Sequence, residues 1–486
     1  MRKILLGTTA VVSAVVGSAI MAPQASAQEA PTVRIGGFFR AYYGYTQQTS
    51  RNSVTGTGMP IATGGNENVP ASTPVGAATA ANSNVARLSK FDISTDAGID
   101  VIVSGKLANG LTYGAQISMS TGANGMEGRQ VGSSRSSAGK NTVAVDEMYA
   151  YIAHPRFGQV RFGDEDGVMG GLMNSGWVQG FGTGGVHGSW ESFVTRQAGA
   201  RTTTAPGGLG DNSKIIYMSP QFYGFDFGVS YAPNAGVGED TGCNNNNGSG
   251  WCDSAYAFVG ASNFGIWAAG PEQAVKRNEY QVAARWRGNL AGVGIAATVG
   301  YVGAGNAREL TALNNGQVRV FKPLSVAQAG VQASYMGFTV GANYSWGDFN
   351  YLWGSQMQGD RSSEQFVVGG QYTFGPFTIG TNFVTGLFEG GSRTTFTNTG
   401  TAVNRTSCRP AAYNPVTGIG ANNCAGMRRW GMSVGANYRL APGMDLIAEW
   451  VHYSVREQGR DFDSVRPGIQ SRGVNDVFLV GTRIAF

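Results

Sequence analysis

Charge is scarce in this sequence. Asp, Glu, Lys and Arg make up 13% of its 486 residues, against roughly 25% in an ordinary soluble domain. Histidine occurs three times and cysteine four times. The formal charge is only +5 and no Lys/Arg cluster or basic helix is present, which excludes nucleic acid as a partner. His154, His187 and His452 have no nucleophile motif beside them, and GxxxxGK[ST], GxSxG and HExxH are all missing. The chain therefore reads as a non-enzyme without cofactor or metal. After residue 27 no run approaches the ~20 consecutive apolar residues of a membrane helix.

The one long apolar stretch lies at the start. Arg2 and Lys3 precede "ILLGTTAVVSAVVGSAIM", and "ASA" at 25–27 supplies the small residues of a cleavage site. Residues 1–27 thus read as a secretory signal peptide, with the mature chain, 28–486, beginning at Gln28. Its removal lowers the formal charge by two. Export suits the four cysteines. Cys243 and Cys252 flank "NNNNGSGW", and Cys408 and Cys424 flank a second Asn/Gly/Pro-rich stretch. Three pairings are possible; proximity favours disulfides Cys243–Cys252 and Cys408–Cys424. Zinc fits neither spacing, with no histidine nearby.

What the chain has in quantity is glycine, 75 residues, and apolar residues spread singly, so that mean hydropathy is −0.13. They alternate with a period of two. In "FTVGANYSW" one face carries Phe338, Val340, Ala342, Tyr344 and Trp346, and the other Thr339, Gly341, Asn343 and Ser345. "VGIAATVGY" and "WGMSVGANYRL" repeat the pattern. A soluble sandwich puts its apolar face inward, whereas a membrane barrel turns it out to lipid. The polar face here is Gly, Ser, Thr, Asn and Gln, with little of the Lys/Glu decoration of a bulk-water surface. Aromatics (Tyr301, Trp346, Phe374, Trp430, Tyr438) sit at segment ends, as interface girdles do.

The expected fold is an all-β transmembrane antiparallel barrel of about sixteen strands: 33–46, 88–107, 111–120, 143–154, 159–164, 213–220, 223–232, 277–287, 291–304, 324–335, 338–347, 364–374, 377–388, 427–440, 443–455 and 475–486. The facing of 143–154 is ambiguous at "VDEMYAYIAH", and 254–268 reads either as an extra hairpin or as loop. Tight turns such as "ANG" (108–110), "MG" (336–337) and "GP" (375–376) alternate with long stretches at 47–87, 121–142, 233–276 and 389–426. Short turns on one side and long loops on the other match an outer-membrane barrel with the long loops extracellular.

"VRIGGFFRAYYGY", "PRFGQVRFGDEDG", "MSPQFYGFDFGVSYAP" and the terminal "GTRIAF" together resemble a trimeric general porin of the Gram-negative outer membrane, of the alphaproteobacterial kind. The resemblance implies a homotrimer set among outer-membrane lipid and lipopolysaccharide. It also implies delivery by the barrel assembly machinery through the C-terminal strand ending in Phe486. It implies further that the third loop, 165–212, folds into the lumen and narrows the channel, its acids facing basic residues across the water. On that expectation Asp164, Glu165 and Asp166 form one half of the pore constriction, and Arg40, Lys90 and Arg161 the other. Strand parity also turns Arg34, Lys214, Arg285, Arg287, Arg429, Arg439 and Arg483 to the lumen. A calcium loop is set aside, because "DEDGVMGGLMNS" holds only the first fragment of that motif. The function implied is a water-filled channel for passive diffusion of ions and small hydrophilic solutes. A substrate-selective channel for anions or sugars, or an adhesive or structural barrel closed by its loops, are the alternatives. The Gly, Ser and Asn of the lumen positions favour the unselective channel.

Overall fold

The computed structural model describes residues 30–54, 90–120, 144–194, 212–234, 276–306, 322–349, 353, 356, 362–389, 395–396, 402–403, 426–457 and 469–486. The proposed signal peptide, the four cysteines and residues 254–268 lie outside them. The strands are β1 (Thr32–Val54), β2 (Phe91–Lys106), β3 (Thr112–Ser120), β4 (Ala144–His154), β5 (Gly158–Glu165), β6 (Asn212–Met218), β7 (Phe225–Ala232), β8 (Lys276–Leu290), β9 (Val293–Asn306), β10 (Leu324–Tyr335), β11 (Phe338–Asp348), β12 (Ser363–Phe374), β13 (Phe377–Glu389), β14 (Thr395–Phe396), β15 (Ala402–Val403), β16 (Gly426–Ala441), β17 (Met444–Glu457) and β18 (Ile469–Ala485). All but β14 and β15 form one closed antiparallel barrel of sixteen strands; those two pair only with each other, between β13 and β16.

The alternation seen in the sequence decides which side is which. On β11 Val340 is 54% exposed whereas Asn343 and Ser345 are 2% and 0% exposed. Apolar residues thus coat the outside and small polar ones fill the inside, the inverse of a soluble core. Side chains tie the tight turns: the Asn109 amide oxygen accepts from the Leu111 N–H at 3.1 Å, and that of Asn289 from the Gly292 N–H at 2.9 Å. Phe486 completes the closure. Its N–H donates to the Gly37 carbonyl at 3.1 Å and its own carbonyl accepts from the Gly37 N–H at 3.0 Å.

Two aromatic belts ring the outer surface. At the short-turn end Phe338, Tyr372, Phe374, Phe377 and Tyr438 follow one another with ring centroids 4.1 to 5.5 Å apart. At the other end run Phe91, Tyr45, Phe478, Trp450, His452 and Trp430. Amphipathic rings settle at the two lipid–water boundaries, so the belts mark the height that lipid covers.

Two differences from the sequence expectation have physical causes. β1 and β18 run past the expected segments and stay paired from Gln48↔Asn475 to Val54↔Ile469. This part of β1, "QTSRNSV", is polar on both faces and so carries no period-two signal. On β4 a bulge gives Ser118↔Glu147 but Met119↔Val145, leaving Asp146 unpaired in register. Val145 and Met148 therefore both stay on the exposed apolar side with two acids between them, and the ambiguous facing of "VDEM" is that bulge.

Candidate functional site

β5 is short, and Gly163 near its end has φ +136°. That conformation favours glycine, and a Cβ there would land on the Met148 carbonyl of β4. The chain then leaves the wall at Asp166 and runs inside the barrel to Val194, through a π turn (Val168–Leu172) and two 3-10 turns (Gly185–His187 and Ser189–Phe193). The π turn packs on β7, β8 and β9; the two later turns reach β13, β16, β17, β18, β1 and β2. The segment thus hugs the inner wall over more than half the circumference.

The wall is built to receive it. A Cβ on inward Gly228 would strike the Met173 sulfur, on Gly300 the Met169 sulfur, on Gly330 the Ser175 carbonyl, on Gly380 the Phe181 ring, and on Gly44 the Phe193 ring. Between these bare positions, polar side chains take the segment's backbone groups. The Gln281 amide oxygen accepts from Met169 and Gly170 N–H at 2.9 and 3.1 Å. The Asn343 amide donates to the Ser175 carbonyl at 2.9 Å, and the Gln371 oxygen accepts from the Gly180 N–H at 3.0 Å. Asn382 accepts from the Val186 N–H at 3.0 Å. The Glu449 carboxylate accepts from the Thr183 N–H at 3.0 Å, the Gly185 N–H at 2.8 Å and the Thr183 hydroxyl. A buried backbone group left without a partner costs about 1–3 kcal/mol, so each of these contacts fixes the path of the segment.

Apolar contacts seal the rest. Val168, Met169, Met173, Val186 and Trp190 join one buried cluster with wall residues Ile216, Val451, Tyr453 and Leu479. The Trp190 ring lies 5.2 Å from Tyr453 and its N–H donates to the Val186 carbonyl at 3.1 Å. His187 is buried beside Trp177, ring centroids 5.0 Å apart. No hydrogen-bond partner for either His187 ring nitrogen is found among the described residues, and burial pushes its pKa down to about 3. Above β10–β13, Phe349 stacks on Trp353 at 4.4 Å and meets Phe388 edge-on at 5.9 Å, all buried.

The inward Gly, Ser and Asn positions, expected to line open water, are on β7–β17 largely the seat of this segment. The inner faces of β2 and β4 differ: Asp92 and Asp146 are exposed, and Asp96, Asp100 and Glu147 are partly so.

The six expected constriction residues do not form two opposed halves. Arg161 and Glu165 share one strand and pair at 2.7 Å, with Glu165 3% exposed. The Arg161 guanidinium also lies 4.8 Å from the centroid of the Tyr149 ring. Lys214 donates to the Glu165 carbonyl. Asp164 is 8% exposed and stands in register between Met148 and Ser213. Asp166 lies so close to Gly171 that a Cβ there would strike its carboxylate. Arg40 is 3.7 Å from Asp96 on the next strand and covers the Phe38 ring at 3.9 Å. Lys90 is exposed just before β2. Of the other expected lumen basics, Arg285 and Arg287 both reach Asp226 at 2.7 Å, and Arg483 reaches Asp445 at 2.7 Å. The sequence reading missed Glu449 and Asn382, whose signal was a polar residue at an inward position beside an inward glycine. Among the described residues, no group of three or more His, Cys, Asp or Glu is placed to hold a metal ion.

The family model described as Gram-negative porin matches residues 8–458. No curated protein matches the chain. Among solved structures, a mutant of the Rh. blastica porin is 14% identical with a TM-score of 0.41, covering 94% of this chain and 100% of that one. A triple mutant of the Rhodopseudomonas blastica porin is 14% identical with a TM-score of 0.40 and the same coverage.

Proposed function

Because the chain belongs to the Gram-negative porin family, a family of outer-membrane channels, we propose that it is a water-filled passage for passive diffusion of ions and small hydrophilic solutes. One observation carries this reading. The inner segment is held against β7–β18 and β1 and meets β2 at its last turn, Ser189–Phe193, while the carboxylates on the inner faces of β2 and β4 keep their exposure to water. A solute passing between segment and wall meets carboxylates and guanidinium groups rather than an apolar plug. Charged side chains in a low-dielectric channel set up a field that sorts ions by sign.

In this reading Arg161, Asp164, Glu165 and Asp166 fix the root of the segment where the passage narrows, and Arg40 and Lys90 stand three to four strands along the same wall. The family supports a homotrimer. It also supports placing the long connections outside the cell and the Phe486 end on the path of the assembly machinery.

Single-channel recording of the purified full chain in a planar bilayer, under a salt gradient, tests the proposal. Stepwise conductance is expected. With Asp164→Asn, Glu165→Gln and Asp166→Asn combined, steps persist and the reversal potential moves toward anions. Absence of any steps rejects the channel in favour of a closed barrel, and an unchanged reversal potential removes the three acids from the constriction.

A further inference from the structure

His452 points away from the lumen. It stands on β17 opposite Met432 of β16 and Asp476 of β18, two residues from Trp450, which pairs with Val434 and Phe478. Val434 and Phe478 are 44% and 50% exposed on the outer surface. Trp450, His452, Ser454 and Arg456 therefore share the outward side of β17. Val451, Tyr453 and Val455, which alternate with them, are buried inside the barrel. This outward row crosses the aromatic belt at the long-connection end, at the lipid–water boundary where the ester groups of a leaflet also lie.

His452 Nδ1 lies 2.9 Å from Asp476 Oδ1. A carboxylate only accepts, so Nδ1 carries the ring proton and Nε2 is left as a base. Ser454 follows on the same face, its Cα about 6.6 Å from that of His452 at the rise of an extended strand. A turn of the two side chains toward each other spans that gap. Trp430 stands opposite Ser454 and its ring lies 4.8 Å from that of His452. The indole thus leans over the serine, which is 5% exposed. The cover is itself an exposed side chain, of the kind that changes rotamer in ps–ns. Arg456 is exposed and brings N–H donors to the far side of Ser454, where an oxygen gaining charge would need them. Register joins these groups from two strands, so no sequence motif marks them.

We propose that Ser454, His452 and Asp476 form a hydrolytic site for fatty-acyl esters of the surrounding lipid. It is an activity beyond the channel, and it rests on that reading only for placing this wall in a leaflet. Ser454 Oγ attacks the ester carbonyl carbon while its proton passes to His452 Nε2. The bond from that carbon to the alcohol oxygen breaks, and the alcohol leaves with the proton. Water, giving its proton to Nε2, then attacks the acyl-serine, which releases the fatty acid and restores the hydroxyl. Asp476 is the positioning residue that holds the ring and its tautomer.

The full chain is reconstituted in phosphatidylcholine vesicles with and without lipid A. Fatty acid release is measured beside adduct formation at Ser454 with a fluorophosphonate, located by mass spectrometry. Release from phosphatidylcholine alone assigns a glycerolipid ester, and release only with lipid A an ester of that lipid. Ser454→Ala and His452→Gln are each expected to lower release about 100-fold or more, and both lose the adduct. Asp476→Asn lowers kcat by a similar factor with KM near the parent's, and Asp476→Glu recovers part of it; a mere brace between strands would leave kcat of the folded barrel unchanged. Heat-resistance reports folding of each variant, and the adduct in the parent needs no variant. Conductance is the same for parent and Ser454→Ala, so absence of channel steps counts against the channel and not against this site. No release from either vesicle, equal release by parent and folded Ser454→Ala, or an adduct that forms elsewhere than on Ser454 overturns the proposal.

Discussion

At the scale of single residues, the inner segment is held by a few acceptors and a few missing side chains. Glu449 takes three donors from Thr183 and Gly185. Replacing it with Ala leaves those groups to find other partners, and the loss is expected at about 1–3 kcal/mol in the seating of the segment. The barrel ladder does not depend on it. The heat-resistance of folded Glu449→Ala should therefore stay near the parent's, while open-channel current noise and protease cleavage within 166–194 both rise. Gly330→Leu acts from the other side of the seat: its Cβ meets the Ser175 carbonyl, so a displaced segment and an altered unit conductance are expected. His187 adds a dependence on pH. An imidazole free of the seat titrates near its ordinary 6.5, whereas burial holds the seated ring near 3. The unseated form therefore takes up the proton first as pH falls. Seating is at full strength above about 6.5 and weakens progressively from there to about 3. Current noise recorded at pH 7, 5 and 4 should rise more steeply in the parent than in His187→Phe.

At the scale of the element, each strand carries two unlike solvents on its two faces, and β2 lets them be compared one residue apart. Ile99 is 45% exposed on the outer side, near the middle of the strand, and Asp100 follows it on the inner side. A lysine facing lipid near the midplane costs about 2–4 kcal/mol, so Ile99→Lys should reduce the yield of folded, heat-resistant barrel. Asp100→Lys should leave that yield intact and show its effect only in ion preference. Equal yields of the two variants would mean that the faces are misassigned. This two-solvent logic is why the strands were legible. Val299 and Val331 alternate with Thr298 and Gly330, and all sixteen wall strands follow from such pairs. It fails where one solvent is missing, as at "QTSRNSV" of β1, or where a bulge inserts a residue, as at Asp146. The inner segment was foreseeable as an inward loop but not in its seating. Period two reports which way a residue points, not whether a glycine there faces water or a sulfur atom such as that of Met169. The pairing of Arg161 with Glu165 on one strand was hidden for the same reason: parity placed both inward but gave no distance across the lumen.

At the scale of the whole molecule, the inner surface is uneven in charge because the segment covers one side of it. Basic groups on the covered side and near the turns are neutralised in place, as with Arg285 and Arg287 on Asp226 and Arg483 on Asp445. On the uncovered side, β2 and β4 bring Asp92, Asp96, Asp100, Asp146 and Glu147, and Asp146 lies close enough to Asp96 and Asp100 to feel their charges. Against them stand Arg40, already beside Asp96, and Lys90, with Arg34 and Lys106 nearer the short-turn end. The passage should therefore prefer cations although the whole chain carries +5, because an ion responds to charges within about one Debye length, roughly 10 Å at 0.1 M salt. Asp100→Lys changes the local count by two and should move the reversal potential further toward anions than neutralising Asp164, Glu165 and Asp166 together. Two of those three are nearly buried, and Glu165 is already matched by Arg161. The cation preference should also fade between 0.1 and 1 M salt, where the Debye length falls to about 3 Å. If the segment acids outweigh Asp100 in that comparison, the field of the channel comes from the segment and not from the bare wall.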